Sequence, residues 1–438
     1  MRKDFRMHFV LCVLIVLAAA CKKNNNVAEQ LAEAPVTPVT PPVSTTPPPV
    51  TIPSYEVGTG SGYLTIDGKS LDLSAVKLIK VKAGTYKGIY IKNIIATAAS
   101  PVTVRNVGQV FVTEGMETEN INYVNISGDG DASITFGFSF ENVAFRAIKM
   151  SGKMTGVVLN KLNFKNVGDY CIAGEANNGN ALKYTGSAES RTDNFKILNC
   201  SFENTGPVIF GGNLNKDSGE DTGFFKDVEV AYNVFKNSPS LGSAIIFTNV
   251  QDYNIHHNVV DNVNQNNNNH NGIFYMQGNG KFHDNKLTNY QGNSIRMWLY
   301  SRGTTPATNE IYNNICYNTR KYGGFELQGF DRYIINGKTT FANAKVYNNT
   351  VGQMNTSKDW DGQILDLYNT GGTLEYYNNL GFSLYKGSGG GITNMINNMS
   401  DIKILKEENN KYASSPSSAV DNLTRFTSLF TGVGAPAF

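Results

Sequence analysis

A short unit recurs along this chain and restricts its fold more than any other feature: an apolar residue, two variable residues, asparagine, one variable residue, an apolar residue and often a second asparagine. Copies stand at 230–237, 255–262, 282–289, 311–318, 346–351 and 376–380, with degenerate ones upstream at 197–204 and 159–166. Asn233, Asn258, Asn285, Asn314, Asn349 and Asn379 recur at spacings of 25, 27, 29, 35 and 30 residues. Self-similarity at such a period marks a chain built by stacking one unit on the next.

Between most copies lies another short apolar segment, at 207–210, 244–247, 272–275, 294–297, 324–327 and 364–367. Each period thus supplies three strands: one ends at the asparagine, one follows it, and the third lies across a longer loop, with no helical period between them. That is the arithmetic of a stacked β-helix. Asparagine suits the sharp bend between strands because it tolerates left-handed backbone geometry, and stacked amides satisfy polar groups that would otherwise be buried unpaired. A propeller would need four strands and nearer ~40 residues per repeat, and a leucine-rich solenoid a leucine period that is absent.

The fold expected is all-β: a single-stranded right-handed parallel β-helix with three short strands per coil, about 10 to 12 coils and an asparagine ladder, over residues 56–400. Residues 401–438 leave the repeat and read as a cap over the last coil, with Ile404, Leu405, Leu423, Phe426, Leu429 and Phe430 to cover it. Cys171 and Cys316 fall at inward positions as buried free thiols. A net charge of +2 without a basic stripe argues against a nucleic-acid partner.

Residues 1–20 read as a signal peptide, with Arg2, Lys3 and Arg6 ahead of an apolar run from Phe9 to Ala20 too short to span a bilayer. Leu17, Ala18, Ala19, Ala20 and Cys21 resemble a bacterial lipobox, which implies lipidation of Cys21 and a membrane anchor without a spanning helix. Residues 21–55 form a tether: eight of the fourteen prolines lie between Pro35 and Pro53, in an extended, disordered tract. The chain is therefore expected as a monomer exported to the cell envelope and anchored to the outer membrane.

The asparagine repeats resemble those of right-handed β-helix proteins of the pectate-lyase-like superfamily, and residues 79–91 with 101–106 resemble the opening coils of its polysaccharide-degrading members. The resemblance spans residues 60 to 400 and implies a partner in extracellular polysaccharide, acted on by a lyase or glycoside hydrolase, or held by a non-catalytic, adhesin-like scaffold. Neither the paired-aspartate and Gly-His-Gly signature of polygalacturonase-like hydrolases nor a matched Lys/Arg lyase signature is present.

Strand alternation decides which side chains face out. With Val208, Ile245, Ile273, Ile295, Phe325 and Leu365 inward, the exposed column of the third strands reads Ile209, Ile246, Phe274, Arg296, Glu326 and Asp366. Rungs stand about 4.8 Å apart, so Arg296, Glu326 and Asp366 are neighbours and the candidate catalytic residues. Two carboxyls at that spacing fit a retaining glycosidase. A uronate lyase, as the resemblance implies, needs a cation to neutralise the substrate carboxylate and a base, often with Ca2+ held by acidic groups, and Arg296 and Glu326 could fill such roles with Lys183 or His270 as the base. Trp298 stands ready to stack on a sugar. The bland alternative is a surface ion ladder of modest value.

Other clusters point less firmly to function. His256, His283, Tyr312, Tyr347 and Tyr377 form an outward column best read as a stacking ladder. His256, His257 and His283 lack a further clear ligand for zinc, so no metal site is assigned. Asp217, Glu220 and Asp221, and the pair Asp359 and Asp361, carry the oxygens Ca2+ prefers, but solvated acidic loops are commoner.

Overall fold

Three stacks of short parallel strands wind about one core in the computed structural model, which describes residues 53–174, 182–215, 220–302, 305–329 and 342–438. The expected signal peptide, Cys21 and the tether up to residue 52 lie outside these residues, as does Asp217. The first sheet holds the strands that lead into the repeated asparagine: Val158–Asn160, Lys196–Leu198, Glu229–Ala231, the ends of Ile245–His256 and Gly272–His283, then Thr308–Tyr312, Asn343–Tyr347, Thr373–Tyr377 and Lys403–Glu408. The second holds the strands that follow it, from Leu162–Lys165 through Ile315–Thr319 to Lys411–Ala413. The third runs from Ile148–Ser151 through the starts of the two long strands to Asn293–Leu299, Phe325–Gly329, Leu365–Tyr368 and Ile396–Met399. Every one of these pairings is parallel, so the fold is a parallel β-helix.

Because like positions superpose from coil to coil, inward side chains form columns. Phe140, Phe164, Phe202 and Phe235 stack at centroid distances of 5.1, 4.9 and 4.5 Å, each burying a large apolar area with favourable offset geometry. Cys171, Cys200 and Cys316 are free and buried, and burial pushes the Cys200 and Cys316 thiols up to about 12. They are packing groups rather than nucleophiles.

The asparagine ladder forms, but the bend is made one residue earlier than the sequence suggested. Tyr232, His257, Asp284, Asn313, Asn348 and Asn378 carry the left-handed φ, between 52° and 59°. Each is followed by a fully buried asparagine whose amide turns inward. The N–H and Nδ2 of Asn285 both donate to Asn314 Oδ1 at 3.1 Å, while Nδ2 also donates to the Ile255 carbonyl at 3.0 Å. The same pattern runs from Asn233 to Asn379 and on to Asn410, a rung the repeat did not reveal. The second asparagines, such as Asn289 and Asn318, form a separate solvent-facing ladder and take left-handed φ themselves.

The C-terminal boundary also moves. Lys403–Glu408 and Lys411–Ala413 are strands of a further coil, paired in parallel with Thr373–Tyr377 and Leu380–Leu384. The charged side chains of Lys403, Lys406, Glu407, Glu408 and Lys411 discourage pairing at this coil's other edge. The segment beyond it is a strap, not an end cap. Ala419, Val420, Phe426, Val433 and Ala435 pack on the outward side chains Ile315 and Leu380 of the second sheet, and the Ala435 N–H donates to Thr350 Oγ1 at 2.9 Å. Of the residues expected to close the helix end, Ile404, Leu405, Leu423 and Leu429 remain exposed.

Candidate functional site

The outward column of the third sheet positions the expected catalytic residues. Its register runs Tyr90, Glu117, Lys149, Ala173, Ile209, Ile246, Tyr275, Arg296, Glu326, Asp366 and Asn397. One position differs from the sequence reading: Phe274 is buried in line with Ile245 and Ile295, and Tyr275 takes the outward place beside Arg296. Gly272, Ile273 and Phe274 are all buried, so the inward-outward alternation starts only at Phe274 and Tyr275.

Arg296, Glu326 and Asp366 do occupy consecutive rungs, but they are not a solvated surface ladder. Glu326 is 1% exposed and Asp366 3%, because the loops entering the third sheet, at 264–271, 320–324 and 355–364, fold over this corner. Arg296 donates from Nε to Glu326 Oε1 at 2.8 Å, from Nη1 to the His270 carbonyl at 2.7 Å and from Nη2 to Gln328 Oε1 at 3.1 Å. The guanidinium fork is thereby fixed in orientation, and 16% of the side chain still reaches solvent.

His270 completes the group from its loop. Nε2 lies 2.9 Å from Asn293 Oδ1 and 2.9 Å from Glu326 Oε2. Nε2 hydrogen-bonds to Asn293 Oδ1, whereas its approach to Glu326 Oε2 is an electrostatic contact and not a hydrogen bond. A ring nitrogen between two acceptor oxygens carries a proton, which leaves Nδ1 as the basic nitrogen of the neutral ring. Tyr322 stacks on the imidazole at 4.1 Å and 14°, and Trp360 meets Tyr322 edge-on at 5.4 Å.

Asp366 sits beneath this layer. Burial, the main cause, pushes its carboxyl up to about 7; the nearby Glu326 adds to the rise, while Asn397, His270 and Asn293 oppose it. Asn397 Nδ2 donates to Asp366 Oδ1 at 3.1 Å. The site thus combines a pinned cation, an oriented imidazole and a carboxyl poised between its acid and base forms near neutrality. It is a poor Ca2+ site: Glu326 is committed to Arg296 and His270, and Asp366 is buried and held by an amide.

The remaining expected residues lie elsewhere. Trp298 is half-buried against Leu214 and Tyr300, with the Arg296 guanidinium 5.9 Å from its ring. Lys183 is exposed in an antiparallel bridge with Thr222. That bridge belongs to a separate layer in which Arg302 grips Asp221. Asp359 pairs with Lys321 at 3.3 Å, and the Asp361 backbone forms an antiparallel bridge with that of Lys386. The column from His256 through His283, Tyr312 and Tyr347 to Tyr377 is a stacked ladder, with centroids 4.6 to 5.1 Å apart and planes within 7°. Its rings cover one another's faces, and Lys406 covers that of Tyr377 at 3.9 Å, so it offers a sugar edges rather than platforms. Sequence reasoning missed Asn293, Tyr322, Gln328, Trp360 and Asn397; Asn293 and Gln328 share strands with Arg296 and Glu326, and Asn397 is the next rung after Asp366, whereas Tyr322 and Trp360 reach the site through loop geometry alone.

No protein-family model matches the chain, and no curated protein matches its sequence. Among solved structures, the A-module of the mannuronan C-5 epimerase AlgE4 from Azotobacter vinelandii aligns with 77% of this chain and 91% of its own, at 10% identity and a TM-score of 0.21. The class of fold rests on the strand pairing itself.

Proposed function

We propose that this β-helix engages an acidic extracellular polysaccharide along its third sheet and cleaves it by eliminating across a uronate ring, with Arg296 and His270 as the working pair. The observation that carries this reading is that both groups are tied to one buried carboxylate, Glu326, as a pinned cation beside an oriented base. Arg296 binds the substrate carboxylate and stabilises the negative charge that spreads into it. His270 Nδ1 takes the C5 proton, the electron pair forms the C4–C5 double bond, the C4–O bond breaks, and the leaving oxygen takes a proton from water. Glu326 is a positioning residue, held too deep to meet a sugar. Upstream on the same face, Tyr90, Glu117 and Lys149 line a cleft of about 250 Å3, which extends the surface available to a polymer.

The signal-like residues 1–20, Cys21 and the proline tract support export and a lipid anchor that holds the domain off the outer membrane as a monomer. The test of catalysis is the ultraviolet absorbance of the new double bond when the purified protein meets pectate, alginate or other uronate polymers. Turnover should vanish in H270A and fall sharply in R296K, which keeps a cation beside the buried Glu326, while their melting curves stay close to wild type. The burial of Glu326 and Asp366 favours a second reading, a non-catalytic glycan-binding or adhesin-like scaffold. Retention on immobilised polymer with no new double bonds and no new reducing ends would establish that reading in place of the first.

A further inference from the structure

We infer that Trp360 forms a sugar-stacking subsite for a hexuronate ring, one loop beyond the Arg296–His270 pair. The inference deepens the proposed function and rests on it for the class of ligand. His270, Tyr322 and Trp360 stand at corresponding corners, just ahead of the strands that carry Tyr275, Glu326 and Asp366, with one coil between the first two, and make a descending staircase of rings. His270 and Tyr322 lie face to face at 4.1 Å, Tyr322 and Trp360 edge to face at 5.4 Å. The inner two rings are largely covered, whereas Trp360, the outermost, is 46% exposed.

An exposed indole on a surface loop is costly unless something holds it in place, and here the backbone holds it. Asn355 Nδ2 donates to the Trp360 carbonyl and, at 3.2 Å, to that of Tyr385. Ser357 and Thr356 bond through their hydroxyls to the backbone of Arg320 and Thr319. Asp359 is paired with Lys321, whose ammonium stands 5.9 Å from the indole centroid and 5.3 Å from that of Tyr322. A rigid aromatic face with a cation beside it matches a pyranose carrying a carboxylate: the apolar C–H face meets the indole and the acid faces Lys321. Preorganisation keeps the entropy lost on binding small.

The chain has only two tryptophans, so replacing the half-buried Trp298 by Phe leaves Trp360 as the sole indole reporter. Oligogalacturonate or oligomannuronate should quench or shift the emission of W298F, and a neutral cello-oligosaccharide should do so far less. Replacing Trp360 by Ala should weaken binding of the acidic oligosaccharide by roughly five- to tenfold, with W360F recovering part of it. Double-bond formation, followed in parallel, separates the two claims. Emission that responds without turnover supports the subsite and overturns the elimination chemistry. Turnover with an unresponsive Trp360 and wild-type binding by W360A overturns the subsite and leaves the chemistry standing. A response to the neutral sugar alone overturns the assignment to a uronate.

Discussion

Asp366 lies one rung from Glu326 in the same outward column, and the two carboxyls are buried together although only Glu326 is paired with the Arg296 cation. Desolvation of an unpaired carboxyl favours its neutral form, and a neighbouring carboxylate adds to that preference. The cluster is thus arranged around one ion pair and one acid held near its titration point.

A pH dependence of stability follows. The Asp366 carboxyl moves from an ordinary value of 3.8 to about 7 in the fold, so the folded chain binds the extra proton and the unfolded chain does not. Its contribution is fully present below about pH 4 and is lost as pH rises through 7, a loss of about 4 kcal/mol at full deprotonation. D366N keeps the shape and the acceptor for Asn397 but cannot ionise. Denaturant titrations from pH 4 to 8 should show wild type losing stability relative to D366N as pH rises; parallel profiles would refute the assignment.

The two asparagines of one repeat should differ sharply in cost. Asn314 is buried, accepts from the Asn285 backbone and amide, and donates to Asn349 Oδ1 and the Phe282 carbonyl. N314A strands those partners without water and should cost about 3 to 5 kcal/mol. Asn318 donates to Asn289 at the surface, with a left-handed φ of 63°. N318A should cost about 1 kcal/mol, mostly backbone strain. Equilibrium unfolding of the two variants decides the point.

The strap makes a similar distinction among residues the sequence grouped together. Phe426 is fully buried between Tyr317 and the Lys286 ammonium, whereas Leu429 is exposed. F426A should lose about 3 to 5 kcal/mol to lost contacts and a cavity, and L429A should stay within about 0.5 kcal/mol of wild type. Equal effects in thermal melts would restore the end-cap reading.

The coil architecture was legible because stacking repeats one environment at fixed intervals, so the need for a buried amide reappears at Asn233, Asn258, Asn285, Asn314, Asn349 and Asn379. Alternation also placed Arg296, Glu326 and Asp366 on one column. It failed at Phe274, where the run Ile273, Phe274, Tyr275 is apolar throughout and offers no phase to read. The burial of Glu326 and Asp366 was not legible, since it depends on loops that differ in length from coil to coil and fold back from the corners. The same loops bring His270, Tyr322 and Trp360 together from positions 52 and 38 residues apart. The bend was not legible because its position holds Tyr232, His257, Asp284 or asparagine in different coils, whereas the asparagine that follows repeats for its buried amide and not for its φ.

A separate clamp holds the loop layer that carries Lys183, and its energetics are testable apart from any activity. Arg302 donates to both Asp221 oxygens at 2.7 and 2.8 Å and to Asn249 Oδ1 at 2.9 Å, with its guanidinium 4.0 Å from the Phe224 ring. Both partners are nearly out of water. The attraction in such a pair offsets a large desolvation cost, so removing one member leaves a stranded charge. R302M should therefore cost about 3 to 5 kcal/mol, while the double variant R302M/D221N should recover a substantial part of it. Because Asp221 and Thr222 link this layer to Lys183, hydrogen exchange at 182–184 and 220–224 should accelerate in R302M and slow again in the double variant. Additive losses would show that the clamp is a solvated surface pair of little consequence.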